Sequence, residues 1–439
     1  MKLADIFCDN MVLQRGDNTF IFGTGSGNGV IEFLDNKIEF KSENDRFVVL
    51  LPTLKAGDVF DITVTLGEEK QIIKNVIVGD VYIAGGQSNM AFTLGDTVNI
   101  EFHNNPDIRY YCEPTTVDAD MNIMRVNKGW RLFEGEDVLD FSAVAYYFSI
   151  KLNKKTGVPV GILACNMGAS AIQSWVSKET SQKEVFKEAL KHHDEKRELY
   201  KINFNNWLYY NKLLNVVPYT AKAVLWYQGE HNTEIGEAEK YCGMLKELIY
   251  NWRDIWNCNF PFYIVQLMPF LTNHCYSDWA MVRNEQLKAS KTIEDVYMVT
   301  MFDTGEANDI HPKNKKCVGE ALSNAVMNTL FGFNEIEYCG PIVESCIKNG
   351  NTAEITFSHA DGLRLDCIWF IDTYVYDKNG IHYEVNGRTA TGEISGNKLY
   401  ITWNDDIEAV GMKMGYWNTP MHKLKNSSGY LASPFNIEF

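Results

Sequence analysis

Between residues 81 and 303, five apolar runs of strand length, VYIAGG, PVGILACN, AVLWYQGE, PFYIVQLM and VYMVTMFD, alternate with periodic apolar stretches around 142–155, 236–256 and 279–292. Short apolar runs separated by segments of helical spacing predict successive βα units, that is, a parallel sheet with helices on both faces. This pattern constrains where chemistry can sit, because the carboxyl ends of such strands line one edge of the sheet and ligands bind there.

The pattern differs on either side. Residues 1–75 alternate apolar and polar over short spans such as Phe20 to Phe22, Val30 to Leu34 and Phe47 to Leu51, which predicts a small β-sandwich without helices. After a helix expected near 313–331, short strands return in ITFS, LDCIWFIDTYVYD and KLYITW. The chain therefore reads as an N-terminal β-domain (1–75), an α/β domain (76–332) and a C-terminal β-domain (333–439). A length of 439 residues, beyond what one hydrophobic core usually supports, agrees with several domains.

Four strand signals of the α/β part end in polar clusters: Gly85-Gly86-Gln87-Ser88-Asn89, Asn166-Met167-Gly168-Ala169-Ser170, Gln228-Gly229-Glu230-His231-Asn232, and Asp303 through Asn308-Asp309-Ile310-His311-Pro312. Together they hold a nucleophile, a base, a carboxylate and oxyanion donors, a composition suited to acyl transfer to water. Ser88 is the candidate nucleophile and His311 the base that takes its proton, histidine having the right pKa near neutrality. Asp309 is the nearest carboxylate able to hold the imidazole in one tautomer. Residues two apart in an extended segment have alpha carbons about 6 to 7 Å apart on the same side, so this spacing permits the pairing. Asn308, brought near His311 by a turn, and Asp303, at the strand end, are the alternatives. The backbone amides of Ser88 and Gly168 and the side-chain amide of Asn232 are the candidate oxyanion donors. Gln87, Glu230, His231, Trp175 and Arg283 are candidate substrate contacts, with loop anchoring the competing role for Glu230 and core packing for Trp175.

Composition excludes other classes. A formal net charge of -16 is the wrong sign for nucleic acid or an anionic membrane surface. There is no apolar run of transmembrane length, and the start MKLADIFCDN lacks the features of a secretory signal, so the expected location is the cytoplasm, with secretion open if a signal was trimmed. The ten cysteines are scattered without a CxxC pair and are expected to be mostly buried apolar residues. His192-His193 lies in the charged stretch KHHDEKRE, and no residue cluster has zinc spacing. There is no P-loop and no GxGxxG opening a helix after a strand. No metal and no cofactor are expected.

GGQSNM, the GAS following GILACN, WYQGEHN and DIHP, in that order, resemble the four blocks of the SGNH (GDSL-like) hydrolases in the form found in the sialate O-acetylesterase family. The likeness extends to the opening IFCDNMVLQRG, to VRNEQ with Arg283 and Gln286, and to the closing MGYWNTPMHKLKNSSGYLASPF. The resemblance implies a three-layer α/β/α central domain, flanked by β-sandwich-like domains, with a Ser-His-Asp site removing O-acetyl groups from sugars. It departs from the family pattern at three places. Gly168-Ala169-Ser170 stands where Gly-Gly-Thr is usual, His231 where a small residue is common, and Asn308 three residues before the histidine where an aspartate is usual. Action on acetylated plant glycans, or glycan binding without catalysis, are the alternatives to a sialate esterase. Neither the sugar nor the oligomeric state is written in these motifs.

Overall fold

The computed structural model describes residues 1–16, 18–113, 115–117, 123–125, 128–190, 202–203, 206–272 and 278–439; the KHHDEKRE stretch and Cys275 fall outside them. The described residues form a mixed α/β structure with several sheets. They divide into two compact units, one within 1–187, 193–228 and 244–262, the other within 188–192, 229–243 and 263–439.

The first unit is organised by one long strand. Strand β1 (Val59–Leu66) runs antiparallel to β2 (Glu69–Gly86), which is 18 residues long. The first half of β2 is largely exposed and antiparallel, whereas from Val76 to Gly86 every residue is buried. The strand crosses the boundary expected near residue 75 through a bulge: Asn75 takes a left-handed φ of 54°, the register against β1 slips by one residue there, and burial becomes complete from Val76 onward. Val12–Gln14 lies parallel to Ile77–Gly79, and at the next position a buried carboxylate pins the register. Both oxygens of Asp80 accept from the Arg15 guanidinium at 2.8 Å, while Gln14 donates to Asp80 Oδ1 and accepts from the Val81 amide.

Four strands of this unit are parallel: β2, β3 (Asn105–Cys112), β5 (Val160–Asn166) and β6 (Ala223–Tyr227), with β4 (Trp130–Phe133) antiparallel on the edge of β3. Their order is β4-β3-β5-β2-β6. Asn166 and Tyr227 both register against Gly86, so three carboxyl ends finish level with one another. Helix α2 (Ala143–Thr156) packs on the unit with most of its first two turns buried, its N-terminus closed by Ser142, whose hydroxyl accepts from the Ala145 amide at 3.2 Å.

The second unit contains strands β7 (Phe262–Val265, its first residue aside) and β8 (Val296–Val299), with helices α4 (Trp279–Thr292) and α5 (Lys316–Phe331). Helix α3 (Tyr241–Trp256) begins five residues later than its sequence periodicity suggests, because Ala238–Lys240 forms a separate 3-10 turn. The C-terminal strands form two four-stranded sheets, whose order is Ile342–Asn349, Thr352–Ser358, Lys398–Trp403, Ala390–Ser395 in one and His382–Glu384, Thr373–Asp377, Ala409–Met414, Phe435–Glu438 in the other. Ile355, Leu399 and Ile401 of the first and Val375, Met412 and Phe435 of the second share one buried cluster, so the sheets face each other as a sandwich.

Nine described cysteines are free, and only Cys165, Cys242 and Cys339 are buried, fewer than the sequence led us to expect. Among the described residues no helix is long and apolar enough to cross a membrane.

The tightest approach in the first unit is at Gly86. Its φ is +130°, and a Cβ there would lie 2.1 Å from the carbonyl oxygen of Tyr227. Gly86→Ala should therefore cost at least about 3 kcal/mol of stability, measurable by chemical denaturation. A variant within about 1 kcal/mol of the parent would refute this account of the strand end.

Candidate active site

At the end of β2 the chain turns directly into the short helix α1 (Ser88–Ala91). Gln87 precedes it in extended conformation, its amide donating to the Tyr227 carbonyl at 3.0 Å, while its own carbonyl accepts from Met90 and Ala91. Ser88 follows as a partly exposed residue between the buried Gln87 and Asn89. The first amides of a helix have no intrahelical acceptor, so the Ser88 N–H is not consumed by the helix it begins.

Gly168 comes to the same place from β5. A Cβ on Gly168 would lie 3.8 Å from the Ser88 Cβ, so the two backbones are neighbours. The Met167 amide donates to the Gly86 carbonyl at 3.0 Å, and Ala169 takes a left-handed φ of 57°. Asn203 fastens this bend, donating to the Ala169 carbonyl and accepting from the Ala171 amide. These bonds put the backbone of Gly168 beside Ser88 with no side chain between them, as an oxyanion donor requires.

Below this edge lies a buried polar network that includes residues expected to meet substrate. Gln228 Nε2 donates to Gln87 Oε1 and to the Ser170 carbonyl, both at 3.1 Å. Gln87 is 3% exposed, and its side chain is spent inward on the scaffold. Trp175 is fully buried, donates from Nε1 to Ser170 Oγ at 3.0 Å, and packs edge-on against Trp226 and Trp252. The structure therefore corrects the substrate role considered for both: an indole or amide enclosed on all sides has no face left for a ligand. Gln228 and Asn203 are the supports sequence reasoning missed. Gln228 was visible within WYQGEHN, whereas nothing local marks Asn203.

In the second unit Gly229, at φ +144°, opens the turn carrying Glu230, His231 and Asn232. A Cβ on Gly229 would press at 3.2 Å on both Gln286 Nε2 and Val282, so the turn sits hard against α4. Asn232 is fully buried, and its Nδ2 donates to Glu237 at 3.2 Å. Glu230 is buried and His231 partly exposed. Arg283 is also displaced from its expected role. It is fully buried in α4, donates to the carbonyls of Met268 and Trp417, and lies 5.8 Å from the Phe302 ring. Burial pushes its pKa down to about 9. Gln286 braces the same region, accepting from the Leu267 amide at 2.9 Å. Thus the VRNEQ motif secures the loop after β7.

His311 is half-buried in the segment between β8 and α5. Its backbone amide donates to Asp309 Oδ1 at 2.8 Å, and the Asp309 amide donates to the Glu306 carbonyl, a turn in which the Asp309 carboxylate acts as a local backbone acceptor. Asn308 is exposed, and the side chain of Asp303 lies outside what is described. Lys315, at the N-terminal edge of α5, is 1% exposed, and burial lowers its pKa to about 8 against the opposing pull of Glu230 and Asp309. His311 is held below its ordinary value of 6.5, first by burial and then by the Lys315 charge, with Asp309 working the other way. The ring is therefore neutral, the form that accepts a proton, over a wider pH range than a free histidine. Among the described residues no group of His, Cys, Asp and Glu is placed to hold a metal ion.

His311 should titrate below pH 6.5, as read from its ring protons by NMR, and Lys315→Met should move the midpoint up by removing a repelling charge. A parent midpoint at or above 6.5, or a downward shift in the variant, would contradict this electrostatic account.

Comparison with known proteins now bears on this arrangement. A family model described as carbohydrate esterase, sialic acid-specific acetylesterase matches residues 78–328. The sialate O-acetylesterase of Homo sapiens is 23% identical over 390 residues, covering 78% of this chain and 73% of that protein. That of Mus musculus is 22% identical over 427 residues, covering 80% and 77%. The crystal structure of a carbohydrate acetylesterase from Xanthomonas citri superposes with a TM-score of 0.87 at 24% identity, covering 100% of this chain and 99% of that one. At that identity the likeness concerns the fold.

Proposed function

This chain belongs to the carbohydrate esterase family of sialic acid-specific acetylesterases, hydrolases of carboxylic esters, and we propose that it removes O-acetyl groups from sugars through an acetyl-serine intermediate. The observation that carries the proposal is the pairing of Ser88 with the bare backbone of Gly168 at the level carboxyl ends of the parallel strands. We read the chain around it as a three-layer SGNH-type central domain (76–332) between N- and C-terminal β-domains.

In the proposed reaction His311 takes the proton from Ser88 as Oγ attacks the acetyl carbonyl. The amides of Ser88 and Gly168 and the side chain of Asn232 receive the oxyanion. Collapse of the tetrahedral intermediate expels the sugar oxygen, which takes the proton from His311 and leaves acetyl-Ser88. Water, deprotonated by His311, then attacks the acetyl carbonyl, and the second tetrahedral intermediate collapses to acetate as Ser88 Oγ leaves with the proton from His311. Asp309 opposes the positive charge on the imidazolium at both steps, the role its raising effect on the His311 pKa supports. Sialate O-acetyl esters are the first substrates to examine, because the mammalian relatives carry that name.

Ser88→Ala should lower kcat on a chromogenic acetate ester by a factor on the order of 10⁴ with the fold intact; retention of a tenth of the activity would exclude Ser88 as nucleophile. Acetate release from a panel of O-acetylated sialic acids and oligosaccharides identifies the sugar, and failure on all of them would remove the carbohydrate assignment of the site.

For the carboxylate, Asp309→Asn is the informative change, since an asparagine oxygen still accepts from the His311 amide and only the charge is lost. It should reduce kcat by more than about tenfold at unchanged melting temperature and exceed the effect of Asp303→Asn. If Asp303→Asn is the more damaging, that residue takes the role; if neither matters, Ser88 and His311 act as a dyad.

A further inference from the structure

The C-terminal sandwich carries a surface whose lining contains none of the residues assigned to the reaction. A hollow of about 650 Å³ is lined by Tyr374, His382, Trp417, Asp372 and Lys413 among others, and a second of about 540 Å³ lies alongside it under Trp369. The two share Asp372, Tyr374 and Met421, so they form one continuous trough. Neither includes Ser88, Gly168, Asn232, Asp309 or His311.

Its aromatic lining is exposed. Trp417 is 44% and Trp369 61% exposed, uncommon for the largest apolar side chain of a folded domain unless it meets a ligand. The rings of the first hollow hold one another at near right angles. Tyr374 and Trp417 lie 6.2 Å apart at 83°, and His382 and Trp417 6.4 Å apart at 77°. The platform is also braced from behind. The carbonyl of Trp417 accepts from the buried Arg283, its amide donates to the Gly415 carbonyl, and the neighbouring Asn418 Oδ1 accepts from the Trp279 amide at 3.0 Å. Little ordering therefore remains to be done on binding.

Polar groups of both signs lie among the rings. Asp372 is half-buried, with one oxygen accepting from the Met421 amide, and Lys413 lies 5.2 Å from the ring centroid of Tyr376. Opposite charges beside exposed rings do not favour a single ionic ligand. They match a molecule with a flat C–H face and a rim of hydroxyl groups that both donate and accept, which is a pyranose sugar.

We propose that this trough binds neutral pyranose units of an oligosaccharide, seated on Trp417 and Trp369 with hydroxyl groups on Asp372 and Lys413. It is a glycan-holding surface separate from the esterase residues, and it stands whether or not their assignment does.

The test is calorimetric titration of the full chain with the unacetylated hexasaccharides xylohexaose, cellohexaose and mannohexaose, with 3′-sialyllactose as the anionic comparison. At least one neutral hexasaccharide should bind with a Kd below about 1 mM. Trp417→Ala should weaken that binding at least about tenfold and Trp417→Phe much less, while hydrolysis of a chromogenic acetate ester stays within about twofold. Should Trp417→Ala fail to fold, Trp369→Ala carries the test, with an expected loss of at least about threefold. Four results would overturn the proposal: no neutral hexasaccharide binding up to about 10 mM; binding indifferent to both tryptophans; preference for sialyllactose; or self-association, measured by sedimentation, that Trp417→Ala abolishes, which would give the surface to a second copy of the chain.

Discussion

The contact between Gly86 and the Tyr227 carbonyl, too close for any side chain to intervene, sets the position of everything that follows it in the first unit. Asn166 and Tyr227 align on Gly86, the Gln87 amide bonds to Tyr227, and Ser88 emerges at the one place where the strand can no longer continue. Farther back, in the middle of the fully buried half of the strand, Asp80 is held by Arg15 and Gln14, which pins the register against Val12–Gln14. A shift of one residue would put every side chain of β2 on the wrong face.

Beneath that edge the chain spends polar side chains where a reader of the sequence would look for substrate contacts. Gln228 ties Gln87 to Ser170, and Trp175 closes the network from the apolar side. Buried polar groups are costly unless all are paired, so such a network specifies a single arrangement of the loops it joins. In the second unit the same economy produces a different result. Lys315 is buried as a cation near Glu230 and Asp309, and its charge helps hold His311 in the neutral form.

The sandwich at the C-terminal end has its own core of Ile355, Leu399, Val375, Met412 and their neighbours. A rigid pair of sheets with a self-sufficient core can carry exposed tryptophans on its loops without loss of order, and Arg283 extends that rigidity to Trp417. Exposed aromatic surface on a well-braced backbone is the property the proposed glycan surface needs.

The sequence by itself determined the alternation of strands and helices, since runs of four to eight apolar residues between periodic stretches have few other solutions. It also determined the four polar clusters at strand ends and, through their order and content, the resemblance to the esterase family. Helix α4 is legible almost to the residue, because Asp278 caps it and its apolar spacing is regular. Tertiary structure decided the rest. Whether Trp175 and Arg283 face a ligand or the core depends on what packs over them, and no local pattern encodes that; both turned out to be buried. The continuity of β2 past residue 75 was hidden because the strand passes from an exposed to a buried environment through a bulge at Asn75, and the pairing that carries it across is made with another strand, β1. The trough on the sandwich was invisible because Trp369, Tyr374, His382 and Trp417 are scattered over some fifty residues, and only the folded sandwich, which pairs the strand of Tyr374 with that of His382 and with Ala409–Met414, brings them side by side.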